Sequence, residues 1–227
     1  MAHAGLMRSL SSIARLFAFA CTALVSIGCA ESPAGPPPAS EATAKSAAKV
    51  PDYADEAASW GRYHSKRFQL SLPLPSGREW RIDDRSRPNL FAMHEGTSSR
   101  LWLTSTQETE LMNRQRCEAR AKAMGWVPEG LTTVDEEITG SPPGYDSRIW
   151  IALDAGKPGG ALQGHVFLFG AFLRKCLLVH MTTSVPSAKH EDVLSSRLAT
   201  FRARVVRGIE LDPLRVTDDA EVPRTNR

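Results

Sequence analysis

Residues 162–183 decide the fold of this chain, and they read LQGHVFLFGAFLRKCLLVHMTT. Two strand-like runs, Leu162–Ala171 and Cys176–Thr183, follow each other closely, so they can pair as an antiparallel hairpin. The first run contains Val166-Phe167-Leu168-Phe169, which is apolar at every position. Because a half-exposed strand alternates apolar and polar residues, this run predicts a strand that is covered on both faces.

Further strand patterns precede this hairpin. Apolar residues at every second position from Phe68 to Leu74 have the period of a half-buried strand. Trp80 and Ile82 predict its partner, on the far side of a turn at 75–77. The remaining strand candidates are Asn89–His94, Arg100–Ser105, Leu131–Thr139 and Tyr145–Leu153.

Two helices complete the pattern. The first is predicted at Thr106–Met124, where Ser105 and Glu108 have the spacing of a capping box and Gly125 suits the position after the last turn. The second is predicted at Ser187–Ile209, where apolar residues recur at helical spacing: Leu194, Leu198, Phe201 and Val205. Short turns favour antiparallel strands, and central strands buried on both faces need a helix on each side. The predicted class is therefore α+β, a mainly antiparallel sheet with helices on both faces (an α/β/α sandwich).

The order of these elements, together with Arg67-Phe68-Gln69-Leu70-Ser71-Leu72-Pro73, resembles the PsbP-like sandwich family over about residues 60–210. Members of that family mostly act as accessory or binding subunits without catalysis. The resemblance therefore implies a binding role.

The first 28 residues predict an export signal. Residues 1–15 contain Arg8 and Arg15 and no acidic residue, and Leu16–Gly28 is an apolar run of 13 residues. A membrane-spanning helix needs about 20 residues, whereas a basic segment before a short apolar run is typical of a signal peptide.

The apolar run ends in Val25-Ser26-Ile27-Gly28-Cys29, which resembles the lipobox of bacterial lipoproteins. The resemblance implies that the signal is cut before Cys29 and that Cys29 is lipid-modified, so that its acyl chains hold the protein on a membrane. Ala30 stands where the retention signal of that family has Asp, which implies the outer membrane. Cleavage after Ala30 is the alternative, and it would give a soluble exported protein that begins at Glu31.

Composition divides the rest of the chain. Residues 30–50 are rich in Ala, Pro and Ser, with four charges and no aromatic residue, which predicts a disordered tether over 29–52. Residues 212–227 are predicted to form a flexible tail, which leaves a single domain at 53–211. Without Arg8 and Arg15, 26 of the 28 basic residues remain, against 25 acidic residues. The remaining chain therefore lacks the excess of positive charge that nucleic-acid binding requires.

The four cysteines have separate expected roles. Cys21 leaves with the signal and Cys29 carries the lipid. Cys117 and Cys176 form an even pair in an oxidising compartment, and we expect a disulfide between them. Two buried free thiols are the alternative.

Candidate metal ligands are few. His165 and His180 lie on successive predicted strands, and near-symmetric hairpin pairing would bring them close together. They are the best metal candidates, but no third ligand can be named, so neither a metal nor a cofactor is predicted. Two separate imidazoles are the alternative.

No catalytic motif is found in the sequence. A nucleophile elbow, a P-loop and a dinucleotide fingerprint are all missing. Ser98 and Ser99 have the pattern of turn residues, and adjacent Asp83 and Asp84 would point to opposite faces of a strand.

The tryptophans fall into two groups. Trp80, Trp102 and Trp150 lie within predicted strands and are assigned to the core. Trp60 and Trp126 lie at the ends of elements and are the better candidates for an exposed contact surface.

The sequence therefore predicts a lipid-anchored cell-envelope protein that acts as a non-enzymatic binding or accessory module. Its expected partners are the membrane, through Cys29, and an envelope protein. Two alternatives stay open. One is an envelope hydrolase or metal-dependent enzyme that uses His165 and His180, and the other is a structural subunit of an envelope assembly.

Overall fold

The computed structural model describes residues 49–53, 59–154, 156 and 160–213. Cys29, the predicted signal peptide and most of the predicted tether and tail lie outside these ranges, so those predictions stay predictions. Within the described residues, no helix has both the length and the apolar character needed to cross a bilayer.

Strands dominate the described part of the chain. In chain order the elements are β1 (Gly61–Ser65), β2 (Leu70–Leu74), β3 (Trp80–Asp83), β4 (Leu90–His94), β5 (Ser99–Gln107), α1 (Arg114–Ala123), β6 (Thr132–Thr139), β7 (Asp146–Asp154), β8 (Leu162–Phe172), β9 (Lys175–Val185), α2 (Glu191–Thr200) and β10 (Glu210–Leu211). A π-helical turn at Phe201–Val206 continues α2.

The main sheet has seven antiparallel strands in the order β3-β4-β5-β9-β8-β7-β6. The predicted hairpin of β8 and β9 forms its centre. Val166 and Phe167 on β8 are 0% and 1% exposed, because one side chain enters each face of the sheet and both faces are covered at this point. The prediction of an apolar strand covered on both sides is confirmed.

One face of this sheet is covered by α2 and by a small second sheet of order β1-β2-β10. Leu194 and Phe201 pack there with Leu72 of β2 and Leu168 of β8. A Cβ on Gly164 would lie 2.7 Å from a methyl group of Leu198, so glycine lets α2 approach the sheet closely.

The opposite face is covered by α1, which packs against β7, β8 and β9. Cys117 and Ala121 of α1 enter a cluster with Phe169 and Leu178, and a disulfide joins Cys117 to Cys176 of β9 with 5.5 Å between their Cα atoms. The structure thus contains the predicted disulfide. The α+β class, with a mainly antiparallel sheet and helices on both faces, is confirmed.

The predicted partner of β2 is wrong. Strand β2 pairs with β1 and β10 in the small sheet. Trp80 on β3 instead pairs with His94 on β4 in the main sheet. Ser76 takes a left-handed backbone (φ 49°) before a short 3-10 turn, which carries the chain from one sheet to the other. The indole N–H of Trp80 donates to the carbonyl of Pro75 at 2.7 Å, which holds this turn in place.

The first helix begins later than predicted. Thr106 and Gln107 still pair with β9, so sheet pairing overrides the capping-box spacing of Ser105 and Glu108. Asn113 is the N-cap, and its side chain accepts the Arg116 N–H. The predicted end at Gly125 is confirmed by its left-handed backbone (φ 72°).

The second predicted helix, at 187–209, is shorter as an α-helix. It comprises Glu191–Thr200, and the chain then widens into the π-helical turn at Phe201–Val206. The apolar spacing holds across this change, because Leu194, Leu198, Phe201 and Val205 are all buried.

Candidate binding site

A row of rings crosses the main sheet on the face that carries α1. Directly opposed positions on β4, β5, β9, β8 and β7 hold Phe91, Trp102, His180, Phe167 and Trp150. Successive ring centroids in this aromatic row lie 5.5, 5.2, 4.3 and 5.1 Å apart. Strands are spaced by about 4.8 Å, so rings at opposed positions fall naturally at stacking distance.

A guanidinium group lies at each end of the aromatic row. The Arg87 guanidinium lies 4.7 Å from the centroid of Phe91, and that of Arg148 lies 5.7 Å from Trp150. Both distances are within the range of cation–π attraction. The two guanidinium groups therefore restrict the terminal rings, and ring–ring contacts restrict the inner ones.

Burial changes along the row. Phe167 is 1% exposed beneath α1, whereas Trp102 and Phe91 are half-buried, because α1 does not extend over β4 and β5. The assignment of Trp102 to the core is therefore wrong. Its indole lies where the covered part of the sheet face ends.

A cleft of about 340 Å³ opens at this boundary, and we call it the indole cleft. It is lined by Arg87, Asn89, Trp102, Trp126, Pro128 and His180. The left-handed Gly125 ends α1 and returns the chain, and the Trp126 N–H donates to the Ala121 carbonyl at 3.0 Å. The volume lies within the usual range for small-ligand sites, and no carboxylate is found among the described lining residues.

The floor of the indole cleft rests on a histidine pair. His180 Nε2 lies 3.1 Å from His165 Nδ1, so the predicted proximity of these residues is confirmed. Burial lowers the pKa of His180 to about 3, with a further contribution from His165, and burial also lowers the pKa of His165. Both rings are therefore neutral at pH 7. His165 Nε2 is buried with no partner in the described chain.

Metal binding by this pair has no support from its surroundings. Among the described residues, no three His, Cys, Asp or Glu side chains are grouped so that they could hold an ion. One nitrogen of each imidazole also takes part in the hydrogen bond between the two rings, so it is not available to a metal ion.

A second polar cluster lies around Arg197 of α2, on the face of the main sheet opposite to α1. Its guanidinium is 1% exposed and donates to the carbonyls of Thr97 and Ser184, at 2.9 and 3.0 Å, and to that of Pro51. Burial lowers the pKa of Arg197, and its closest carboxylate, Asp52, is 4.0 Å away. Sequence reasoning missed this residue. The sequence does contain an indication, because Arg197 follows Leu194 by three residues and so lies on the apolar face of the helix.

The same cluster contains a hydroxyl–imidazole–carboxylate chain. His94 Nδ1 accepts the Thr97 N–H at 3.2 Å and lies 2.9 Å from Thr97 Oγ1, which leaves Nε2–H to donate to Glu79 at 3.1 Å. This order of groups is the one that activates a nucleophile.

The hydroxyl groups in this cluster are buried. Thr97 is 1% exposed and Ser99 is 0% exposed, and the hydroxyl of Tyr53 donates to Ser99 Oγ at 2.7 Å. A neighbouring cavity of about 460 Å³ is lined in part by His94, Ser99 and Thr183 of this cluster. The hydroxyls of Thr97, Ser99 and Thr183 are hydrogen-bonded to one another, which ties β5 to β9.

The other residues named from the sequence are placed as follows. Trp80 and Trp150 are buried as expected, and Trp60 is half-buried with the Arg204 guanidinium 4.2 Å from its ring. Ser99 begins β5 and is buried, so its assignment to a turn is wrong. Asp83 ends β3 and accepts hydrogen bonds from the backbone of the following turn.

Comparisons with known proteins give no family. No family model and no curated protein matches this chain. A crystal structure from Bacteroides thetaiotaomicron is similar with a TM-score of 0.39 and 9% identity, covering 67% of this chain and 48% of that chain, so this chain spans about half of that protein's length. LpqN, involved in cell envelope biogenesis of Mycobacterium tuberculosis, is similar with a TM-score of 0.40 and 9% identity, covering 68% of this chain and 91% of that chain.

The fold and the cleft together describe an α+β sandwich with an open aromatic cleft at the edge of a helical layer.

Proposed function

We propose that this chain is an exported, lipid-anchored protein of the bacterial cell envelope that acts as a non-enzymatic binding module. Its ligand occupies the indole cleft. The single observation that carries this function is the half-exposed Trp102, which lies in the open part of the aromatic row and lines the same cavity as Trp126. The lipobox resemblance at Cys29 supports the proposed location in the cell envelope.

The cleft is preorganised for binding. The Trp102 ring stacks on His180, and Phe91 lies beside it with its ring tilted, so both neighbours restrict the indole. Because stacking already fixes this ring, binding loses little side-chain entropy.

The polar groups of the cleft are mainly hydrogen-bond donors. Trp102 and Trp126 each contribute an indole N–H and Asn89 contributes an amide. Arg87 adds a guanidinium whose Nε lies 3.6 Å from Asp83. The site suits a ligand that has an apolar body and carries hydrogen-bond acceptors.

Catalysis is less well supported by the same structure. An acyl-transfer enzyme needs a hydroxyl that a substrate can reach, and Thr97 and Ser99 are buried. A metal-dependent enzyme built on His165 and His180 would need a third ligand that the described residues do not place beside them.

Site-specific photo-crosslinking in living cells tests the proposal. A photoreactive residue in place of Asn89 lies in the indole cleft, whereas one in place of Val134 lies on the exposed part of β6 and serves as the control. We expect adducts at position 89 that are missing at position 134 and that disappear in a Trp126→Ala background. Adducts that are the same at both positions, or that persist without Trp126, would contradict the proposal.

A further inference from the structure

The two central strands of the sheet end in an exposed tip. Phe172, Leu173, Arg174 and Lys175 join β8 to β9, and we call these four residues the hairpin tip. Leu173 is 65% exposed and Phe172 is 37% exposed, although the rest of both strands is largely buried. Apolar side chains therefore project into solvent from the central hairpin of the main sheet.

Leu173 has a left-handed backbone (φ 52°). Residues with a Cβ are disfavoured there, and glycine is the residue that such a position favours. The leucine side chain packs into no core, so folding does not require it. Strain kept in an exposed apolar residue points to a use for that side chain.

The hairpin tip is held rigidly by its neighbours. The Met112 N–H donates to the Leu173 carbonyl and the Glu108 N–H donates to the Arg174 carbonyl, both at 2.7 Å. This bonding places Leu111, which is 67% exposed, beside the tip. Tyr145 stacks on Phe172 with ring centroids 5.4 Å apart. The apolar side chains thus form one supported patch.

The charge beside this patch is positive. Arg174 and Lys175 are exposed and form no ion pair with any residue in the described part of the chain. The nearby acidic residues are already neutralised by α1, since Glu108 pairs with Arg120 and Glu110 pairs with Arg116.

From this arrangement we propose that the hairpin tip docks on an anionic lipid surface, with Leu111 and Leu173 inserted among the headgroups. Apolar and aromatic side chains flanked by cations are the composition of elements that lie in the membrane interface. A stable protein interface uses about 20–30 residues a side, far more than this convex tip presents. The proposal goes beyond the indole cleft and does not depend on Cys29.

Vesicle flotation tests the proposal with the full exported chain carrying Cys29→Ser, so that no acyl chain contributes. We expect the protein to float with vesicles of phosphatidylcholine and phosphatidylglycerol, more weakly with phosphatidylcholine alone, and less at high salt. The double variant Leu111→Ser/Leu173→Ser should lower the bound fraction at least about five-fold. Arg174→Glu/Lys175→Glu should abolish the preference for the anionic lipid.

Val134→Ser/Ile138→Ser is the matched control, because these residues of β6 are 56% and 66% exposed and lie outside the tip. It should float like the parent chain. Leu173→Gly separates binding from folding, since it relieves the left-handed strain and should keep the midpoint of unfolding or raise it while binding falls. Equal losses in the tip and β6 variants, or a parent chain that does not float, would overturn the proposal. Binding of the hairpin tip to a protein, without binding to the vesicles, would also overturn the proposal.

Discussion

His165 Nδ1 lies 3.1 Å from His180 Nε2 in the middle of the central hairpin, and one ring N–H is shared between two neutral imidazoles. Protonation of either ring would place a charge among apolar side chains. The fold therefore favours the neutral form of the pair, which makes the stability of the domain depend on pH.

We predict that acid destabilises the fold through this pair. The pKa of His180 falls to about 3 and that of His165 is also lowered, whereas both rings titrate near 6.5 in the unfolded chain. The unfolded state thus binds more protons below pH 6.5, and stability is lost as the pH falls from about 6.5 towards 3, at up to about 1.4 kcal/mol per pH unit for each group. Urea unfolding at pH 7 and pH 5 should differ by about 2–4 kcal/mol.

The matched variant for this test is His165→Phe/His180→Phe, which keeps the stacking and removes both titrations. Its stability should vary much less over the same pH range. The remaining slope comes in part from His94, whose pKa burial also lowers. An unchanged slope in the double variant would falsify the assignment.

The covered and the open part of the aromatic row should respond differently to truncation. Trp150 is 9% exposed, and Trp150→Ala should cost about 3–5 kcal/mol through the cavity that it leaves. Trp102 is half-buried at the cleft, so Trp102→Ala should cost less than half of that. Denaturant titrations of the two variants measure the difference. If Trp102→Ala proves as costly as Trp150→Ala, the residue serves the core and the binding proposal loses its main support.

Arg197 should be among the most sensitive positions in the fold. Arg197→Leu removes the guanidinium that donates to the carbonyls of Ser184 and Pro51 and one of the donors to that of Thr97, which should cost about 3–5 kcal/mol. Arg207→Leu is the control, since its ion pair with Glu137 is exposed, and it should cost about 1 kcal/mol or less. Chemical unfolding of both variants checks the comparison, and similar costs would argue against a structural role for the buried guanidinium.

The disulfide should contribute measurably to stability. Cys117 and Cys176 are 59 residues apart, and loop-closure entropy then allows about 4 kcal/mol as an upper value. Cys117→Ala/Cys176→Ala should lower the free energy of unfolding by about 2–4 kcal/mol. A reducing agent should have the same effect on the parent protein and none on the double variant, as followed by the midpoint of thermal unfolding.

The lipid anchor is tested on the mature N-terminus. Mass spectrometry of the protein extracted from bacterial membranes should find an acylated Cys29, and Cys29→Ala should give a chain that high salt releases from the membrane. A mature chain that begins at Glu31 without acyl groups would show cleavage by ordinary signal peptidase. Such a result removes the anchor and leaves the indole cleft unaffected.

Sequence reasoning succeeded where a pattern is local. The apolar run at Val166–Phe169 and the histidines at 165 and 180 follow from strand period and hairpin pairing alone. The disulfide was within reach because only two cysteines remain after the signal.

Contacts between residues that are distant in the sequence explain the features that sequence reasoning missed. Residues 104–107 carry helix-start signals, yet pairing with β9 extends the strand through Gln107. Trp102 looks like a core residue because its neighbours in the chain are buried, and only the limited reach of α1 leaves it open. The carbonyls that bind Arg197 come from distant parts of the chain, so no local pattern announces them.

The disulfide also lies directly behind the hairpin tip, because Cys176 follows Lys175. The helix that it holds has ten residues and buries only Cys117 and Ala121, too little for a helix of that length to stay formed by itself. Thiols remain reduced in the cytosol and become linked outside it. In the exported chain that we propose, the layer over the aromatic row is therefore fastened to the sheet only after the chain has reached an oxidising compartment.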